Sequence, residues 1–254
     1  YKVKLFNSID SLIDEVEAVS VVTPTKSHYK ISKLCIQNNI HVFIEKPITA
    51  TLKQADSLLK LSEKSKTIIQ VGHIERLNPA LIALKYYNVN PKLIEIQRLA
   101  PYTARGADVP VVLDKMIHDI DIILSLVNSK VETIDASGLS ILTDSLDIAH
   151  ARISFESGTV ASIMSSRIAK DDVRKIKLFQ KDLYATIDFL MESTEIYKVT
   201  NDRNHQEKGE GLSIPFQYKS KNRYIIYDKP NLPKYDSLKE ELNNFILSIR
   251  GIEK

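Results

Sequence analysis

The sequence predicts a partial doubly wound α/β domain over residues 1–97, followed by an α+β domain over residues 98–254 with an open, mostly antiparallel sheet. Three observations predict it. Short β-branched runs alternate with helical patterns as far as residue 71, and such alternation implies parallel strands joined by right-handed crossovers. Beyond about residue 90 the pattern changes to strand-like stretches in succession, with a hairpin turn at Glu156-Ser157-Gly158-Thr159. A chain of 254 residues, 43% of them hydrophobic, can build two cores.

Leu12–Glu17 reads as the end of a helix. Ala18–Val22 is a short apolar run of the kind buried on both faces of a parallel sheet, and Thr23-Pro24-Thr25 stops it. Ser27 is placed to cap the next helix, in which Tyr29, Ile31, Leu34, Cys35 and Ile36 have helical spacing. His41–Ile44 is a second strand, ended by Glu45-Lys46-Pro47. Leu52–Ser65 is a helix with Leu52, Ala55, Leu58, Leu59 and Leu61 as its apolar stripe, and Thr67–Val71 is a third strand. Leu93–Ala100 alternates like a half-buried strand and Val111–Val127 is helical. Strands follow at Val131–Leu139, Asp147–Phe155, Thr159–Arg167, Arg174–Gln180, Leu183–Asp188 and Glu195–Val199. Residues 201–235, rich in polar and proline positions, read as a long loop with one strand, Arg223–Tyr227; Ser237–Ile249 is an amphipathic helix.

Composition excludes several classes of function. The net charge is +3, from 35 basic and 32 acidic residues spread along the chain, which leaves no basic stripe for nucleic acid. The basic clusters at Lys170–Lys181 and Lys219–Arg223 are short and broken by apolar residues, as solvated surfaces are. One cysteine, Cys35, rules out an internal disulfide and argues for a reducing compartment. No apolar run reaches the ~18–20 residues that span a bilayer, and no secretory signal opens the chain, so a cytoplasmic protein is expected.

Open α/β sheets bind ligands beyond the carboxyl ends of their strands. Thr23-Pro24-Thr25, Glu45-Lys46-Pro47 and Gly72-His73 lie there. A lysine at such a turn can polarise a substrate oxygen, although a surface turn has the same spacing. In Asp114-Lys115-Met116-Ile117-His118-Asp119-Ile120-Asp121, helical spacing puts Asp114, His118 and Asp121 on one face. A histidine beside carboxylates suits proton transfer. The same trio could ligate a metal, but no second histidine stands at ligand spacing, so no metal is expected.

Taken in this order, the two constellations resemble the Gfo/Idh/MocA oxidoreductases. The matching stretches are VVTPTKSHYKISKLCIQNNIHVFIEKPIT (21–49), VGHIERLNPA (71–80), LDKMIHDIDIILSL (113–126) and ISFESGTVASI (153–163), and the resemblance covers roughly residues 18–250. It implies a Rossmann first domain, a second domain whose outer sheet face builds a homo-oligomer, and NAD or NADP as cofactor. It implies that Lys46 contacts both the substrate hydroxyl and the nicotinamide. His118 would take the hydroxyl proton as hydride leaves the carbon, with Asp114 holding the sugar or His118 in place. Thr23, Pro24, His28 and Glu45 would contact the cofactor's ribose and nicotinamide. The G-H-I-E-R-L-N-P run is similar to that of members acting on nucleotide-linked amino sugars of the UDP-N-acetylglucosamine kind. That likeness makes Arg76 and Asn78 substrate contacts; Tyr102, Arg105 and Arg167 are further candidates, since an anionic substrate suits arginine.

The chain departs from the family at its start. None of its seven glycines lies in a G-x-G-x-x-G array. By the family pattern two strand–helix units, roughly 60 residues at about 30 per repeat, are expected to be missing before residue 1. The pyrophosphate anchor would go with them, and the alternative reading is a non-catalytic relative that binds a ligand or partner.

Overall fold

The computed structural model describes residues 3–103, 109–201, 212–218 and 221–252. In chain order the elements are Ile9–Ile13 (α1), Ala18–Val21 (β1), Thr25–Gln37 (α2), His41–Glu45 (β2), Leu52–Ser65 (α3), Ile69–Gly72 (β3), Pro79–Ile82 (α4), Leu93–Leu99 (β4) and Ile117–Leu126 (α5). Eight strands and a helix follow: Val131–Leu139 (β5), Ile148–Phe155 (β6), Val160–Ser166 (β7), Val173–Gln180 (β8), Leu183–Asp188 (β9), Ser193–Thr200 (β10), Leu212–Tyr218 (β11), then Lys221–Asp228 (β12) and Ser237–Ile249 (α6). One strand in that series, β11, falls where the sequence reads as loop. Contacts divide the chain into two units, Tyr1–Ile74 with Leu238–Lys254, and Glu75–Ser237. The change of unit therefore falls at Ile74, ahead of the expected residue 97, because Ala80, Leu81 and Leu84 already belong to the second core. No helix of the described residues is long and apolar enough to cross a membrane.

In the first unit β1, β2 and β3 form a parallel sheet in that order, with Val21 opposite Ile44 and Ile44 opposite Val71. Strand side chains alternate between faces. Val42 and Ile44 pack with Cys35 and Ile36 of α2 and Leu58 of α3. Phe43, between them, meets Phe245 of α6 with ring centroids 5.9 Å apart. Helices thus cover both faces, as a doubly wound sheet requires. Pro24, not Ser27, stands at the N-terminus of α2; no side chain caps that helix, and Ser27 N donates to Pro24 O at 2.8 Å. Thr51 caps α3, its hydroxyl accepting from Gln54 N at 3.3 Å. Of the expected α3 stripe, Leu58 is fully buried while Leu52, in the first turn, stays exposed.

The second unit holds a nine-stranded sheet in the order β11-β12-β10-β9-β8-β4-β7-β6-β5. β4 lies inside it, parallel to β7 and antiparallel to β8. Ile94, Ile96, Ile163, Ile176 and Leu178 present one face to Met116, Ile122 and Ile123. The other face is open, and the edge strand β5 is exposed along its whole length. β11 went unread because Pro215 interrupts its alternation; among the described residues it pairs only with β12, and an edge strand tolerates a residue that cannot donate. The helix expected over Val111–Val127 opens instead with a π-helical turn, Val112–Met116. Val111-Val112-Leu113 is apolar on every side, so its spacing does not select a period.

Between β5 and β6, Asp147 is wholly buried and accepts from the backbone N–H groups of Ile141, Leu142 and Thr143 at 2.6–3.0 Å, and from the Thr143 hydroxyl at 2.8 Å. Burial alone would raise this carboxyl, but the four donors outweigh it and hold it well below the usual range. A depressed folded-state value contributes stability above the unfolded value, and that contribution is lost as pH falls. The thermal midpoint is therefore expected to drop as pH is lowered below about 4. Asp147→Asn should flatten that part of the profile in a calorimetric pH series; an unchanged slope would remove Asp147 from the account.

Candidate active site

In the first unit the functional turns stand at the carboxyl ends of the three parallel strands. Thr23 and Pro24 follow β1 and are exposed; Glu45 and Lys46 close β2 and are half-buried. The Lys46–Pro47 peptide is cis. Lys46 N donates to Glu45 Oε2 at 3.3 Å. Gly72 lies opposite Glu45 in the sheet, and a Cβ there would come within 3.2 Å of Glu45 Oε2, so glycine allows the carboxylate to lie flat on β3. His28 is 1% exposed. Its Nδ1 faces Pro47 O at 2.9 Å and its Nε2 faces Thr23 O at 2.7 Å. The ring thus ties the β1 and β2 turns together and presents no atom outward. The expected direct cofactor contact is replaced by a brace beneath the turns that carry Thr23 and Lys46. What remains at the crest, a hydroxyl, a carboxylate and an ammonium, fits the ribose and nicotinamide end of a dinucleotide.

In the second unit, Asp114 sits within the π-helical turn and His118 in the first turn of α5, both half-buried. Single π turns inside helices recur at functional sites. Lys115 Nζ lies 3.8 Å from Asp114 Oδ2. Around them is a set of ion pairs that the sequence did not announce. Arg98, on β4, points into the core and is 5% exposed. Its Nε donates to both Asp119 oxygens at 3.0 Å, its Nη2 to Asp119 Oδ1 at 2.8 Å and its Nη1 to Glu75 Oε1 at 3.1 Å. Burial works against the guanidinium's charge, yet the Asp119 and Glu75 carboxylates hold it above its ordinary value. One signal was legible: Ile94, Ile96 and Arg98 occupy successive inward positions, and a charge in core register calls for a partner.

Several expected substrate contacts are otherwise engaged. Arg76, expected as a substrate contact, grips Asp121 with two bonds of 2.6 Å. Asn78 caps α4, its Oδ1 accepting from Ala80 N at 3.0 Å while its Nδ2 donates to Glu75 Oε2 at 3.4 Å. It also borders a cavity of about 1230 Å³ with Lys229, Lys234 and Tyr235, none of which the sequence singled out. Arg167 is 3% exposed, donates to Val109 O and lies 3.9 Å from Asp147 at the end of the sheet. Tyr102, after β4, is 46% exposed and open to contact. Arg105 lies outside the described residues.

A parallel α/β crest bearing Glu-Lys-Pro, and an open-sheet unit whose helix bears Asp-x-x-x-His, are the parts of a dinucleotide-dependent oxidoreductase. Residues 1–73 match the family model described as "Oxidoreductase family, NAD-binding Rossmann fold" (GFO_IDH_MocA). The chain is 33% identical over 247 residues to UDP-N-acetylglucosamine 3-dehydrogenase of Acidithiobacillus ferrooxidans, an alignment covering 97% of this chain and 74% of that protein. It is 26% identical over 270 residues to myo-inositol 2-dehydrogenase of Thermotoga maritima, covering 98% and 75%. The solved structure of the A. ferrooxidans 3-dehydrogenase, GnnA, superposes with a TM-score of 0.84 at 31% identity, over 99% of this chain and 75% of that one. The chain belongs to the Gfo/Idh/MocA oxidoreductase family, whose first domain is an NAD-binding Rossmann fold.

Proposed function

We propose that this protein transfers hydride between NAD or NADP and a hydroxyl carbon of a sugar nucleotide of the UDP-N-acetylglucosamine kind. The observation that carries this is the similarity to a UDP-N-acetylglucosamine 3-dehydrogenase over 97% of the chain, with Lys46, Asp114 and His118 all present. The bound nicotinamide supplies the hydride acceptor or donor. Thr23, Pro24 and Glu45 hold its ribose end. Lys46 donates to the reacting oxygen and stabilises negative charge as it develops there. His118 takes the hydroxyl proton as the carbon–hydrogen bond yields its electron pair, leaving a ketone; Asp114 orients either the sugar or the imidazole. Tyr102, and Asn78 with the lysines of its cavity, are the proposed contacts to the nucleotide's phosphates and sugar.

Fluorescence titration of NADH and NADPH, against this chain and against the chain read from further upstream in its gene, tests the reading. Saturable binding by either, followed by turnover of UDP-N-acetylglucosamine in a panel of sugars, supports it. Binding by neither overturns it in favour of a ligand- or partner-binding role.

The open sheet face carries the proposed homo-oligomer. Leu93 on β4 and Met164 on β7 are 36% and 38% exposed on it, more apolar surface than a solvated sheet needs. Met164→Lys is expected to shift the protein to monomer in light scattering coupled to gel filtration, and a wild type that is already monomeric would refute the interface.

A further inference from the structure

The helix that carries His118 is held on both sides of that residue by ion pairs. At 3.6 residues per turn, each residue advances about 100° around the helix axis. Asp119 therefore projects about 100° to one side of His118, and Asp121, three residues on, about 60° to the other. Asp119 is 1% exposed and is held by three hydrogen bonds from Arg98 on the neighbouring strand β4. Asp121 is held by two bonds from Arg76. Glu75 completes the set by accepting from Arg98 at 3.1 Å, and it precedes Arg76 in the same 3₁₀ turn, Ile74–Leu77. One short turn and one strand thus grip α5 on either flank of the imidazole. A rigid two-point grip prevents the helix from rolling, which a single pair at one flank would permit.

We infer that Glu75, Arg76 and Arg98 are positioning residues that set the azimuth of His118 through Asp119 and Asp121. The G-H-I-E-R run then serves the reaction by aiming the base, while its arginine stays committed to Asp121. The inference rests on the assignment of His118 as proton acceptor. Its physical basis is that a catalytic base must be held in a near-attack geometry, and a displacement of about 1 Å can cost on the order of 10²-fold in rate. Charged groups set around the imidazole include Asp114 and Lys115 on its own segment, Asp119 and Asp121 on α5, and Arg76, Glu75, Arg98 and Arg174 from the elements packed against it.

The test uses Glu75→Gln and Arg76→Gln, which each loosen one flank without stranding a buried arginine charge, together with Arg98→Lys, which keeps the charge and loses the fork. Each variant is first shown to be folded by circular dichroism. Turnover is then measured at saturating cofactor, and the His118 ring is followed by nitrogen-15 NMR through a pH titration. The expected result is a fall in kcat on the order of 10²-fold for Arg76→Gln. KM for the sugar nucleotide should be little changed, the His118 resonance should move and its titration midpoint should shift. Arg98→Lys should recover part of what Arg98→Met loses. A folded Arg76→Gln with unchanged kcat and an unmoved His118 signal overturns the inference. If the wild type turns over no sugar nucleotide, the substrate assignment fails, and the NMR arm alone decides the positioning: a shifted His118 titration upholds it and an unshifted one ends it.

Discussion

His118→Ala is expected to lower turnover by on the order of 10²-fold or more, the usual loss when a general base is removed. The expectation follows from the chemistry of the step. A secondary alcohol gives up its proton far above neutral pH, so hydride departure at neutral pH needs an acceptor placed on the hydroxyl. Histidine is suited to this because its charge changes near neutrality. Loss of the base should lower kcat and kcat/KM together, since the interaction is made as the proton moves. The rise of kcat/KM with pH that reports the base should vanish from the pH–rate profile. Lys46→Ala should give a loss of similar size by a different route, because a cation at the reacting oxygen stabilises charge and not proton transfer. Its pH profile should keep the His118 limb. Steady-state rates with a sugar nucleotide and NAD or NADP measure both, and turnover unchanged by His118→Ala would end the assigned role.

Arg98→Ala is expected to destabilise the second unit by about 3–5 kcal/mol, because it leaves the buried Asp119 carboxylate and the part-buried Glu75 without their counter-charge. The comparison with Arg76 makes the number diagnostic. Arg76 and Asp121 make bonds just as short, but the Arg76 side chain is 52% exposed. Pairs in that setting contribute about 0–1 kcal/mol. Denaturant unfolding of Arg76→Ala and Arg98→Ala should therefore differ several-fold in effect, although both remove one arginine. The double substitution Arg98→Met with Asp119→Leu should cost much less than either charge deletion alone, since an apolar pair can replace a buried ion pair at little cost. Equal and small losses for the two arginines would show that the buried cluster is hydrated and of little consequence to stability.

The regular elements were legible wherever one face is buried and the period is unambiguous. β9, α3 and α6 lie where the alternation and the helical stripe put them. Legibility failed for three physical reasons. Pro215 masks β11, because a proline is compatible with a strand only at an edge, and edge position belongs to the sheet and not to the sequence. The π-helical turn at Val112–Met116 lies in an apolar run with no polar face to mark its period. Ser27 is a good cap by type, but Pro24 already fixes the backbone angle at the start of α2.

The same division runs through the candidate site. The residue types and spacings of Glu45-Lys46-Pro47 and Asp114-x-x-x-His118 carry the reaction class, because proton transfer and charge stabilisation depend on which groups are present. By itself the sequence determined the alternation of strand and helix, the open sheet, the oxidoreductase family and the proposed pair Lys46 and His118. The tertiary structure decided which polar residues are free to face a ligand. Hydrogen bonds and ion pairs, most of them between residues distant in the chain, engage His28 with Thr23 and Pro47, Arg76 with Asp121, and Arg167 with Val109 and Asp147. It also placed Arg98 beneath the helix of His118, a contact across 21 residues of sequence that no local pattern encodes. The reason is that a side chain's chemistry is set by its type, while its availability is set by partners that only folding brings within hydrogen-bonding distance.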